Sequence, residues 1–396
     1  MFKFNCLSSK FTLNKILKSV VVSSIIISPV LYLACGSSGS GSGGPSPSGN
    51  LDQNQMLKEL SENVIIPSYA DFKEATGELQ TSLVAFCESP DLDKLGQAQA
   101  EWKTTQEKLS RTESFGFGPY HDQNFDNEIH FWPTEPDFIE SAISNNEEFS
   151  PEVLAGLAGG VSTRGVPAIE YLLFDGAGDS QKILDFFTQN ENAARRCNFL
   201  VAIGSELQKQ STALHDAWSA EGENYAKQFY SAGQSGSSFA TLHDAINLMV
   251  NEWAFSVDYI RDLKLAQPIG LKSGSDVPLP ETVESPYARY SKESIVVELK
   301  GMQSLYRGDY GVHQGLGIQD LVKEKNVNAS EVLDQLIVDA IEGMEAVPGS
   351  LHDALTENPA SIENAYEKIK TLRDYLYGPL ASLLGVTTKF SDNDGD

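Results

Sequence analysis

Apolar and small residues in this chain recur at alternating intervals of four and three. The longest run is Ala193, Cys197, Leu200, Gly204, Leu207, Ser211, Leu214 and Trp218. That spacing places one stripe along one face of a helix, and such a stripe is buried only by packing lengthwise against other helices. Leu242, Ile246, Met249, Trp253, Val257 and Ile260 repeat it, as do Val332, Leu333, Leu336, Ile337, Ala340, Ile341 and Met344. Earlier segments, Phe72/Thr76/Leu79/Leu83/Phe86 and Leu95/Gln99/Trp102/Gln106/Leu109, follow the same rule. A last helix through Ile362, Ala365, Ile369, Leu372 and Leu376 meets Gly378-Pro379, where a kink or break is expected. Sustained period-two alternation is missing, so the expected fold class is all-α.

Long antiparallel helices in this number suggest two bundles. The polar stretch 233–238 is the expected linker, giving an N-terminal bundle over 51–232 and a C-terminal bundle over 239–396. Within the first, 115–165 reads as a long irregular loop region, broken by Gly116, Gly118-Pro119, Trp132-Pro133 and Gly159-Gly160. Its aromatics (Phe115, Phe117, Tyr120, Phe125, Phe131, Trp132) argue for an ordered, functional segment, because loops this long inside compact domains usually carry function or lack order.

The first 34 residues carry four lysines and no acid, then an apolar run from Val20 to Leu33 that is too short to span a bilayer. They read as a signal peptide. Leu31-Tyr-Leu-Ala-Cys35 resembles a bacterial lipobox, in which the cysteine becomes the acylated first residue; the alternative is ordinary secretion with Cys35 free. The Gly/Ser-rich linker that follows, to residue 50, would hold a body off a membrane. The expected location is the periplasmic face of the outer membrane, with the lipid bilayer as one partner. Removing residues 1–34 leaves 25 basic against 55 acidic residues, a net charge of −30. Nucleic acid is excluded as a partner, because phosphate recognition needs a basic footprint. Cys87 and Cys197 can pair in an oxidising compartment and would close a loop of about 110 residues, contributing about 4–5 kcal/mol; two buried thiols are the alternative.

None of the standard hydrolase, redox or nucleotide signatures is present. His121-Asp122, Glu128 and His130 share one segment, and imidazole with carboxylate suits zinc or iron, although a solvated polar loop has the same composition. Arg164-Gly-Val-Pro-Ala-Ile-Glu-Tyr-Leu-Leu-Phe174 is more specific. Pro167 fits a first helical turn after Gly165, so Glu170 falls in that turn and is the one charge in an apolar run. A buried carboxylate requires a cation, a metal or several donors. Pairing with Arg164, or a favourable position on the helix dipole, would also account for it.

The stretch Arg164–Phe174 resembles the signature segment of the imelysin family of bacterial exported proteins. Phe117-Gly-Pro119, Ile129-His-Phe-Trp-Pro133, Glu284-Ser285, Tyr290-Ser291, Leu384-Gly-Val-Thr and the ending Phe390-Ser-Asp-Asn-Asp-Gly-Asp396 are similar as well. The resemblance implies two helical bundles with a site near their interface. It also implies envelope location, often as a lipoprotein, and an association with iron uptake through a protein partner. The family was named for peptidase activity, and its proposed metal element is G-x-H-x-x-E. Here that element reads Gly165-Val-Pro167-Ala-Ile-Glu170. Proline offers neither a ring nitrogen nor a base, so one ligand or catalyst is missing. The leading expectation is a lipid-anchored, non-enzymatic ion- or partner-binding protein of iron uptake, with iron or another divalent metal as its cofactor. Gly165 and Glu170 carry over from the motif; Arg164, Trp132 and Glu284 rest on looser similarity. Glu170, His121 and His130 are the candidate metal ligands. A metallopeptidase with a degenerate motif and a docking lipoprotein without metal are the competing expectations.

Overall fold

The computed structural model describes residues 51–145, 148–274 and 277–388. The expected signal peptide, the lipidation site at Cys35, the linker to residue 50 and the landmark from Phe390 to Asp396 lie outside the described residues.

Helix α1 (Ile66–Glu88) continues from a π-helical stretch, Ser61–Ile65, with Pro67 just past the junction, and buries Phe72, Thr76, Leu79, Leu83 and Phe86. Helix α2 (Leu92–Thr112) is capped by Asp91, whose side chain accepts from the Lys94 amide at 2.8 Å. Two short helices that carry site residues follow, α3 (Phe125–His130) and α4 (Gly165–Leu173). Helix α5 (Ala193–Trp218) lies along α1, and Cys87 and Cys197 are joined across the pair with Cα atoms 5.3 Å apart. Each large apolar side chain buried on these stripes contributes about 1.5–3 kcal/mol, which sets the helix positions.

Helix α6 (Leu242–Tyr259) opens on a reciprocal Thr241/Asp244 cap and runs into a π-helical stretch, Ile260–Ala266. Helix α7 (Ser291–Arg307) packs on α2 and on α8 (Val327–Glu345), and α8 packs on α9 (Pro359–Tyr375). The fold is all-α, apart from a hairpin of two residues per strand, Asp309–Tyr310 with His313–Gln314.

Four expectations change in detail. The described residues form one compact unit with one continuous apolar core, because α7 lies against α2 across the expected division. The stretch 233–238 is a closed turn: the Gly233 amide donates to Phe239 O at 3.1 Å and Ser237 Oγ to Gln228 O at 2.7 Å. The region 115–165 is not irregular. Its Gly and Pro residues cut it into short helices, including Pro119–Asp122, Pro136–Asn145 and Pro151–Ala155. Phe115, Phe117, Tyr120 and Phe125 are buried core, while Tyr120, Phe131 and Trp132 also line a cavity. Finally, the helix does not break at Pro379. It widens into a π turn, Leu376–Leu380, and resumes as Ala381–Leu384.

Gly301 fixes how closely α7 approaches α2: a Cβ there would lie 2.2 Å from the carbonyl oxygen of Arg111. Backbone cannot yield as a flexible side chain can. Gly301→Ala is expected to lower stability by about 1–3 kcal/mol, read as a lower denaturation midpoint at an unchanged slope. Replacing Cys87 and Cys197 together by serine is expected to cost about 2–5 kcal/mol, and reductant should then no longer alter the midpoint.

Candidate functional site

A cavity of about 300 Å³ lies where α3, α6, α7 and the end of α2 meet. Its lining includes Glu113, Tyr120, His121, His130, Trp132, Glu252, Tyr259 and Glu298. At its floor is a buried group of charges. The ammonium of Lys264 lies 2.8 Å from Glu113 Oε2, 2.8 Å from Glu284 Oε1 and 2.8 Å from Glu298 Oε2. His130 closes the group, with Nδ1 3.2 Å from Glu113 Oε1 and Nε2 3.5 Å from Glu284 Oε1. Lys264 and Glu284 are each only 1% exposed. Glu284 Oε1 faces the ammonium and the imidazole, while its Oε2 has no hydrogen-bond partner among the described residues.

The electrostatics follow from one cation among three carboxyl groups. Burial works against the charged form of Lys264, but its glutamates outweigh that and hold the ammonium well above its ordinary range. Burial raises Glu113 too, yet Lys264 and His130 prevail and bring it down to about 2. Burial wins at Glu298, which is pushed well above a normal carboxyl.

The sequence candidates occupy three places. His130 and Glu284 are in the floor group itself. Arg164 and Gly165 hold the backbone that presents His130. The Arg164 guanidinium grips Glu128 with Nε–Oε2 at 2.6 Å and Nη2–Oε1 at 2.8 Å, two residues before the histidine. Gly165 has φ +78°, and a Cβ there would stand 2.4 Å from the Ile129 carbonyl oxygen. No other residue permits that approach. Arg164 therefore does not pair with Glu170.

Glu170 and Trp132 brace the segment bearing Glu284 from its two ends. Glu170 Oε1 accepts from the amides of Tyr287 at 2.9 Å and Ala288 at 2.7 Å, and Trp132 Nε1 donates to Val283 O at 3.2 Å. The Ser285 amide donates to Ser291 Oγ at 2.9 Å between them. Burial pushes Glu170 up to about 8, against the pull of its two amide donors.

The expected ligand set of Glu170, His121 and His130 is not brought together. His121 sits at the mouth of the cavity with Nδ1 3.0 Å from Asp126 and Nε2 3.1 Å from Glu252. Those carboxylates raise it to about 10, and an imidazolium has no free lone pair for a metal. Among the described residues, the group able to hold an ion is Glu113, His130 and Glu284, whose ligand atoms lie within 4.8 Å of one another. One imidazole and two carboxylates suit iron(II), manganese or zinc. The unpartnered Oε2 of Glu284 fits such an ion, while Oε1 of the same group lies 2.8 Å from the Lys264 ammonium.

Glu113, Lys264 and Glu298 were missed, although the sequence marks them. Glu113 continues the Trp102, Gln106, Leu109 stripe by four residues, and Lys264 continues Trp253, Val257, Ile260 by four. Glu298 stands between Ile295 and Met302 in the same rhythm. A charge in phase with a buried stripe is the signal.

Fold and site together define an all-helical protein built around an internal carboxylate–imidazole–ammonium group. The profile described as Imelysin (Peptidase_M75) matches residues 65–377, and the chain belongs to the imelysin family. It is 24% identical over 302 residues to iron-regulated protein A of Synechococcus elongatus, covering 75% of this chain and 77% of that protein. Two crystal structures share the fold. One, described as an iron-regulated protein A precursor from Parabacteroides distasonis, has a TM-score of 0.74 at 20% identity over 87% of this chain and 97% of that one. The other, an imelysin-like protein from Psychrobacter arcticum, has a TM-score of 0.68 at 17% identity over 86% of this chain and 97% of that one.

Glu170 yields a pH test. Its folded-state value is raised above the ordinary 4.5 to about 8, so the folded chain holds the proton more tightly. The associated stability is full below about pH 4.5 and is lost as pH rises toward 8. Glu170→Gln keeps a neutral acceptor, so wild type should lose stability relative to this variant between pH 5 and 8 in denaturant titrations. Glu170→Leu leaves two buried amides unpaired and should cost about 1–3 kcal/mol across the same range.

Proposed function

We propose that this protein binds a divalent cation, iron(II) foremost, on Glu113, His130 and Glu284, and serves iron acquisition without catalysing hydrolysis. The observation that carries the reading is Glu284: a buried carboxyl group whose Oε2 has no hydrogen-bond partner, beside an imidazole and a second carboxyl group at ligand spacing. The mouth of the cavity adds Asp126 and Glu252, which outnumber His121 in charge and favour cations. The sequence relationship to an iron-regulated protein supports iron as the cargo. Against peptidase chemistry, Pro167 removes the histidine of the motif, and Glu170 is occupied by backbone amides away from the cavity lining.

The reading extends to the envelope. A signal peptide, a lipid on Cys35 and the Gly/Ser linker would hang the body at the periplasmic face of the outer membrane, within reach of an uptake partner. No helix among the described residues is long and apolar enough to cross a membrane, so attachment through the first residues is what this reading requires.

Anaerobic titration of the metal-free full chain with iron(II) or manganese(II) should give one site per chain. Glu284→Gln or Glu113→Gln should weaken it at least tenfold, each removing a ligand, while Glu170→Gln should leave it within about threefold. A site lost only in Glu170→Gln, or peptide-bond hydrolysis that follows metal loading, would overturn the reading.

A further inference from the structure

Lys264 is more than the cation binding needs. It is on the π-helical stretch Ile260–Ala266, where five-residue spacing widens the turn. Its ammonium has three carboxyl oxygens at 2.8 Å and the Tyr259 ring centroid at 5.9 Å. This is the environment of a bound monovalent cation, covalently tethered. Two of its three acceptors, Glu113 and Glu284, belong to the ligand set, so ammonium and metal ion compete for the same carboxyl groups. The third, Glu298 on α7, lies outside that set and gives the ammonium a place to remain when the other two are taken.

We propose that Lys264 is a resident counter-ion that sets a charge threshold for the site: multiply charged cations displace it toward Glu298, and sodium and potassium do not. The inference rests on the divalent-cation reading above. Exchanging one unit charge for another leaves the carboxylates no better neutralised, yet the incoming ion must shed its water. A doubly charged ion nearly doubles the attraction to the same carboxyl groups, which can offset both its dehydration and the displacement of the ammonium. The unpartnered Oε2 of Glu284 identifies where the added attraction would be felt.

The test is manganese(II) titration of the full chain, wild type beside Lys264→Met, in about 0.1 M potassium chloride and again in about 0.1 M tetramethylammonium chloride, whose matched ionic strengths equalise screening. Lys264→Met should bind manganese at least tenfold more tightly in tetramethylammonium. It should also lose at least threefold in potassium, because the smaller ion can now enter. Wild type should bind equally in both salts. Should Lys264→Met not fold by circular dichroism, K264M/E298Q is compared with E298Q, so that the ammonium and the carboxyl group facing it are removed together; the same tenfold gain and the same potassium sensitivity are expected. Unchanged or weaker affinity in the folded lysine variant, with wild type still binding, overturns the charge threshold and leaves the metal site standing. Absence of manganese binding in wild type and both lysine variants overturns the two together.

Discussion

The structure is organised around an ammonium group in a place that excludes water. Moving a lysine and its carboxyl partners out of solvent costs several kcal/mol per ion, recovered only if the geometry is tight and every partner is in place. Lys264 meets this with three carboxyl oxygens at 2.8 Å. The partners come from the end of α2, the 283–288 segment and α7, while the lysine follows α6. Four distant parts of the chain are thereby bound to one charge. Removing a single member would leave the others buried and uncompensated, a far larger loss than an exposed ion pair suffers.

Much of the rest serves to deliver those groups at fixed positions. Gly301 lets α7 close on α2, bringing Glu298 toward Glu113. Gly165 and Arg164 press the start of α4 onto residues 128–129, which aims His130. Glu170 and Trp132 anchor the stretch around Glu284 through backbone contacts. The glutamate of the family motif thus supports the Glu284 segment through two backbone amides, with Pro167 standing where the motif has histidine.

The helical fold was legible because burial imposes a period: Phe72 to Phe86 and Cys197 to Trp218 declare their faces without help from distant residues. Glu170 was legible as a buried carboxyl for the same reason. Its partners were not, because they are backbone amides 117 and 118 residues away, and amides carry no side-chain signature. Likewise, His130 and Glu284 were named separately, but their meeting at 3.5 Å is a product of tertiary packing. His121 illustrates the opposite failure, since its neighbourhood in sequence suggested a ligand while Glu252, 131 residues away, claims its second nitrogen.

The disulfide between Cys87 and Cys197 divides the floor group by connectivity. Glu113 and His130 lie inside the covalent ring it closes, together with Arg164, Gly165 and Glu170. Lys264, Glu284 and Glu298 all come later in the chain. A chain emerging from its amino end into an oxidising space can therefore complete the ring while the ammonium and two of the three carboxyl groups have yet to arrive. The ammonium gains its last carboxyl partner only with Glu298, long after the ring is able to close, so the covalent order and the electrostatic order of assembly differ.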